Sequence, residues 1–309
     1  MEYIALVSWL SMSIRLSVPL LYTAIGGLIV MKSGVFNLGL EGMMLAGAFL
    51  GFYGSLITGD PWIGLLLAII GGAIIGLLLA YVTVSLGGNQ LVIGLGINFL
   101  ILGLTGFFYR VLCNIGLLDA TTRIANFSSM RIPFLSKIPG LGEIFFVHNF
   151  LTYLSILLVI FVSWFFYKTT YGLNLRSVGE NPETADASGI NAYLVRYMAA
   201  IASGVLAAIG GAFLTLTQVT SFYENMTDGR GWVALAIIIL GKFQPWGMLW
   251  ASLFFGAAYG LVYQLQIMGI KMPPQIMSML PYALTIAVLV GVVGKIRGPS
   301  ALAKRYIKN

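Results

Sequence analysis

From Pro61 to Tyr109 the chain carries no aspartate, glutamate, lysine or arginine. A helix needs about 20 residues to cross the hydrocarbon of a bilayer, so a run of this length has to cross twice. Three further runs lack those charges: Tyr197–Tyr223, Phe243–Ile270 and Met272–Gly294. Backbone N–H and C=O groups find no water in lipid and must pair within a helix or a closed barrel. None of the runs alternates between polar and apolar residues as barrel strands do, which leaves helices. Only 9% of the 309 residues are charged, against about 25% in a soluble domain. The chain therefore reads as an all-α integral membrane protein, with residues 1–309 forming one transmembrane domain.

About nine membrane segments are expected, within a range of eight to ten: roughly 4–31, 40–58, 62–86, 90–111, 150–167, 193–217, 231–241, 247–268 and 276–294. Arg15 and Pro19 interrupt the first, so an interfacial helix followed by a shorter span is the alternative there. Segment 231–241 is too short to cross alone and fits half of a broken helix. The basic tail, with Lys295, Arg297, Lys304, Arg305 and Lys308, belongs on the cytoplasmic side and reads as an anchor. Counting back puts Lys242, the polar insert 168–192 and Lys32 on that side too. The outer side then receives Asp60, the 112–149 loop, the acidic 218–229 loop and Lys271. Arg123, Arg131 and Lys137 in the 112–149 loop run against the rule. The net charge of +7 is thus explained by membrane orientation rather than by nucleic acid. No cleaved signal peptide is expected, because the N-terminus lacks the charged, apolar and small-residue pattern of one.

Ala24-Ile25-Gly26-Gly27 recurs as Ala208-Ile209-Gly210-Gly211, and each copy is followed by a polar, glycine-containing break and another apolar run. The segment count sets the two copies in opposite directions, as in the inverted repeats of transporters. The first break holds Asn37 and leads into a helix that begins with Glu41. Two readings compete for Glu41: a residue of a solute pathway, or a cap of its own helix at the membrane surface. The second break, Asp228-Gly229-Arg230-Gly231, is a charged turn in which Arg230 would pair with Glu224 or Asp228, or simply carry loop charge. Asn98, between Gly96 and Gly103, reads as an interhelical hydrogen bond or as a contact to a polar solute. Gln218 and Asn225 fall at the expected outer mouth.

The 168–192 insert is polar but ordered. Asn181 suits an N-cap, Pro182 the first helical position, Glu183 the positive end of the dipole, and Gly189 the stop. A short capped helix outside the membrane is expected there. Catalytic sets are missing. Gly294-Lys295 lacks the rest of a phosphate loop, and the single His148 supports neither a zinc protease nor a histidine triad. It reads as an interfacial residue, and the single Cys113 excludes an internal disulfide. No bound cofactor is expected, and any ATP hydrolysis belongs to another chain.

Three stretches resemble the permease subunits of bacterial ATP-binding-cassette importers of the ribose/branched-chain type, in their nucleoside and simple-sugar branch. They are Gly34 to Met44, Ser177 to Ile190, and Gly229 to Ala236. Glu183-Thr184-Ala185, then three residues, then Gly189, is similar to the Glu-Ala-Ala-x-x-x-Gly coupling helix, with Thr184 where alanine is usual. The resemblance implies docking of an ATPase on Gly179, Glu180, Asn181, Pro182, Glu183, Ala185, Asp186 and Gly189. It further implies a second homologous permease, an extracytoplasmic binding protein, and a place in the bacterial cytoplasmic membrane. A neutral nucleoside is the expected solute and a simple sugar such as ribose the alternative. The scarcity of intramembrane charge speaks against the other mechanistic class, an ion-coupled carrier. Asn37, Glu41, Asn98, Gln218, Asn225 and Arg230 are the candidate pathway residues.

Overall fold

The computed structural model describes residues 2–118, 122–133, 135–138, 140–269, 273, 279, 282–286 and 298–306. Its helices are α1 (Glu2–Lys32), α2 (Leu40–Thr58), α3 (Pro61–Ala80), α4 (Gln90–Asn114), the short α5 (Leu141–Phe145), α6 (Phe150–Lys168), α7 (Thr170–Glu180), α8 (Pro182–Ala187), α9 (Ala192–Phe213), α10 (Arg230–Leu240) and α11 (Pro245–Ile267). Wider π turns extend α3 over Tyr81–Ser85 and α9 over Leu214–Val219. A two-residue antiparallel pairing, Met130↔His148 and Arg131↔Val147, ties the loop after α4 together.

Among the described residues, α1, α2, α3, α4, α6, α9 and α11 are long and apolar enough to cross a membrane. These seven correspond to seven of the nine expected segments. The segment at 231–241 is the short α10, and the one at 276–294 lies largely outside the described residues, as do Lys271, Lys295, Arg297 and Lys308. The most apolar stretches of α1, α2 and α9 are 72–78% buried, whereas those of α4 and α6 are 33% buried. The first three helices form the core, and the others turn apolar faces outward. Gly26 of α1 packs on Ser203 and Gly210 of α9 packs on Pro19, so the two copies of the small-residue repeat meet on antiparallel helices.

Helices that begin at an end of the bundle are mostly capped by the residue before them. Asp60 accepts from Trp62 N, Asn89 from Leu91 N, Asn149 from Thr152 N, Thr169 from Gly172 N and Asn191 from Leu194 N. The first helix runs unbroken through Pro19 rather than splitting into an interfacial and a spanning piece. Proline leaves the carbonyl four residues earlier without its helical donor. That carbonyl belongs to Arg15, and Gln218 Nε2 donates to it at 2.9 Å. A side chain from α9's π turn thus repairs the helix that the proline interrupts.

Residues expected on one side of the membrane gather at one end of the bundle. Lys32, at the end of α1, lies 5.9 Å over the ring of Phe243, next to Lys242, while Gly179 of the polar insert backs onto the Lys32 carbonyl. At the opposite end, the loop after α4 crosses the tops of α2 and α9. Ser55 Oγ donates to Ala125 O, Ile124 N to Thr220 O and Phe127 N to Leu216 O.

Candidate functional site

Two helices begin inside the bundle instead of at its ends. After Gly34 the chain stays irregular to Gly39 and then enters α2. Asn37 is fully buried here; its Nδ2 donates to Ser203 Oγ at 3.1 Å and its Oδ1 accepts from Gly39 N at 2.8 Å. Ser203 lies roughly 17 Å along α9 from Ala192, at ~1.5 Å per residue, so the break reaches well inside the bundle. Glycine at position 39 has no side chain with which to cap α2. Asn98 of α4 supplies the missing groups: its Oδ1 accepts from Gly42 N at 2.8 Å and its Nδ2 donates to Leu38 O at 2.9 Å. The Phe36 amide donates to Gln90 Oε1 at 2.6 Å.

The second break ends the 218–229 stretch, which was expected as an outer loop, and only the first part of that stretch is one. Phe222 is buried among Phe49, Tyr109 and Phe52, with ring centroids at 5.3, 5.4 and 5.9 Å. Glu224 pairs with Arg110 at 2.8 Å. Met226 and Thr227 are buried, so the chain has turned into the bundle before α10 starts. Asn225 and Asp228 adopt left-handed backbone conformations, with φ of 57° and 45°, and Asn225 remains exposed. The first residues of α10 are held by Glu41, whose carboxylate accepts from Thr227 Oγ1 at 2.5 Å, Gly229 N at 3.0 Å and Gly231 N at 2.6 Å. Glu41 therefore caps neither a surface helix nor its own; it caps α10 from the first turn of α2. Glycine is required at 231, because a Cβ there would lie 2.5 Å from Glu41 Cα.

Arg230 does not pair with Glu224 or Asp228. Its Nη1 donates to the Met226 and Thr227 carbonyls at 3.0 and 3.3 Å, and its guanidinium sits 5.6 Å over the Tyr259 ring. Glu224 is taken by Arg110, and at Asp228 it is the backbone carbonyl that accepts from the Tyr282 hydroxyl, at 2.8 Å. Asn37, Glu41 and Asn98 are thus joined around the two interior helix starts, while Gln218 is spent on the Pro19 repair and Asn225 stands apart. The partners Gln90, Ser203 and Thr227 were missed. Ser203 is a lone polar residue in an apolar run, whereas Gln90 and Thr227 sit in polar turns, and neither setting names a partner.

Gln218 also lines an outer cavity of about 1000 Å³, shared with Arg15, Asn149, Thr217 and Tyr263. His148 lies near it, buried, with Nε2 2.7 Å from the Ile144 carbonyl. Burial holds its imidazole below the ordinary histidine range, and the Arg15 charge adds to that. Among the described residues, no three His, Cys, Asp or Glu side chains come together as a metal site.

At the other end, the polar insert forms a helical hairpin. Asn181 Oδ1 accepts from Thr184 N at 3.1 Å, Pro182 opens α8, and Gly189 takes a φ of +86° beyond it. The preceding α7 was not foreseen. Its signal is Thr169, which accepts from Gly172 N, and its polar composition hid the helix. Glu183, Thr184, Ala187, Ser188 and Gly189 are exposed, whereas Gly179 and Ala185 are buried and Asp186 is half-buried. Glu180 Oε2 accepts from both the Oγ and the amide of Ser300, at 2.7 and 3.2 Å.

Residues 9–289 match the family described as branched-chain amino acid transport system / permease component. The chain is 39% identical to the guanosine ABC transporter permease protein NupQ of Bacillus subtilis, over 94% of this chain and 93% of that one. It is 37% identical to the nucleoside ABC transporter permease protein NupC of Lactococcus lactis, over 95% and 94%. To the putative glucose ABC transporter permease protein TsgC13 of Haloferax volcanii it is 34% identical, over 96% of each chain. No solved structure matches the chain significantly.

Proposed function

Because the chain belongs to the permease family of branched-chain amino acid transport systems, we propose that it is a permease subunit of an ATP-binding-cassette importer that takes up nucleosides. It is a multi-pass membrane protein, and we place it in the bacterial cytoplasmic membrane. The observation that carries the reading is α8: a rigid, capped helix with Glu183, Thr184 and Ala187 exposed, at the end of the bundle that holds Lys32 and Lys242. Such a helix fits a cleft in an ATPase and passes on its movement. The ATPase is a separate chain, and this one binds no cofactor. The coupling set, Gly179 to Gly189, divides in two. Glu183 and Gly189 face outward to the ATPase, and Gly179, Glu180, Ala185 and Asp186 hold the helix on the bundle.

The solute class rests on the names of the guanosine and nucleoside permeases, to which the chain is more similar than to the putative glucose permease. A simple sugar is the second reading, favoured by the likeness to the putative glucose permease. The pathway lies between this chain and a second homologous permease, fed by an extracytoplasmic binding protein. Asn37, Glu41, Asn98 and Arg230 hold the walls of that pathway, and Gln218 and Asn225 meet solute near its outer mouth. Helix α10 with the irregular 220–229 before it counts as one broken span, and the apolar sequence at 276–294, largely outside the described residues, is what a ninth would rest on. The succession of long helix, break and helix, at 2–58 and again at 192–240, is an inverted repeat about an axis in the membrane plane.

Uptake of labelled guanosine by cells making this chain with its neighbouring ATPase, permease and binding protein tests the reading. Uptake blocked by other nucleosides, indifferent to ribose and lost with an inactive ATPase is expected. Full competition by ribose would move the solute to sugars. Uptake that survives without the ATPase and collapses with the proton gradient would overturn the importer altogether.

A further inference from the structure

The last described segment, 298–306, lies across the cytoplasmic ends of several helices and binds each one specifically. Ala301 N donates to Gly179 O at 3.0 Å, at the end of α7, and Ala303 N donates to Gly34 O at 3.1 Å, at the start of the first break. Ser300 holds Glu180 through its hydroxyl and amide. Tyr306 is buried in a small apolar cluster with Val178, Ala185 and Ala192, which seats its ring against α8 beside Asp186. The guanidinium of Arg196, itself buried and donating to Ser33 O at 3.2 Å, sits 5.7 Å from the centre of the same ring. Arg305 packs on Gly87 between α3 and α4. A generic basic anchor would show none of this two-sided bonding.

We propose that residues 298–306 are a coupling strap, which carries the displacement of α8 to the break before α2 and so to the interior helix starts. This rests on the importer reading above. The path is short: α8 through Asp186, Ala185 and Tyr306, the strap backbone to Gly34, and from there the irregular 35–39 to Glu41, which holds α10. Tyr306 and Ser300 are its positioning residues, since neither faces a solute path or an exposed face of α8. Without the Tyr306 ring, α8 still presents Glu183 and Gly189 to the ATPase, and its push is absorbed at a loosened base.

The test is the whole importer reconstituted in proteoliposomes, with both permeases, the ATPase and the binding protein, and with guanosine as probe. Tyr306→Ala combined with Ser300→Ala should leave the ATPase co-purifying at the wild-type ratio. Guanosine taken up per ATP hydrolysed should fall about fivefold, in the range of mutations along a coupling route. Tyr306→Phe, which keeps the ring in its cluster, should restore most of that ratio. An unchanged ratio in the double variant overturns the strap, and so does loss of the ATPase from the purified complex, which would make the segment a plain structural support. Glu183→Ala and Gly189→Val address the reading beneath it: if both leave uptake intact, the coupling helix itself is wrong, whatever the strap variants do.

Discussion

Helices α3 and α10 both enter the bundle with unpaired amides at their first turn, but at different depths. At α3 the cap comes from the adjacent Asp60, in the exposed turn between two spans. At α10 the cap comes from Glu41, nearly two hundred residues away in sequence. The same contrast separates α8, capped by Asn181, from α2, whose Gly42 amide is satisfied by Asn98 of α4. A helix start at the surface has water as a second acceptor, so a local side chain is a convenience. A helix start inside lipid has none, and an acceptor must be brought to it from a different helix. Every broken helix therefore ties two distant segments together, and the ties at Glu41 and Asn98 both meet on the first turn of α2.

The largest effect is expected where that tie is densest. Glu41→Ala leaves the Thr227 hydroxyl and the Gly229 and Gly231 amides without an acceptor in a buried site. At 1–3 kcal/mol for each stranded group, and with less than full additivity, it should cost about 3–5 kcal/mol. SDS titration of the purified chain in mixed micelles, read by tryptophan fluorescence, measures it. Glu41→Gln keeps one accepting oxygen and should recover part of the loss. If Glu41→Ala is no worse than removal of a surface cap, water reaches this site and the interior start is not interior.

Much of this was legible beforehand, and the reason it stopped where it did is physical. Uncharged runs announce spans because charge is expensive in lipid, and the polar, glycine-containing breaks before α2 and α10 announce helix ends because they interrupt the apolar runs. The caps Asn181, Pro182 and Gly189 could be read because capping is local. What a polar residue in a span bonds to is not local. Glu41 and Asn98 were singled out as polar residues in apolar surroundings, but their partners are set by the packing of α2 against α4 and α10. The strap at 298–306 was read as an anchor for the same cause: its charges are visible in sequence, its contacts with Gly34 and Gly179 are not.

An intermediate case lies at the outer cavity. Pro19 frees the Arg15 carbonyl, and Gln218 answers it from beside a space large enough for water. Gln218→Leu should therefore cost about 1 kcal/mol, in keeping with single side-chain hydrogen bonds in membrane proteins. The sharper test is a double-mutant cycle. In Pro19→Ala the amide at position 19 returns to the Arg15 carbonyl, so Gln218→Leu in that background should cost almost nothing. Equal costs in both backgrounds would show that Gln218 acts through the cavity and not through the proline.

The smallest effect belongs to the surface. Asn181→Ala removes the acceptor for Thr184 N, but both groups are exposed, and bulk water takes the place of the side chain. An exposed cap of this kind falls at the low end of its range, roughly 0.5 kcal/mol. The same SDS titration should place Asn181→Ala nearly on the wild-type curve, several-fold closer than Glu41→Ala. Because α8 is only six residues long, even a modest loss of cap frays a large part of it. The change should then surface in hydrogen exchange confined to α8, at the amides of Thr184 and Ala185, with the amides of α2 and α10 unmoved. Exchange that spreads to Gly229 and Gly231 would mean that the surface and interior starts are not separate, and the contrast between them would fail.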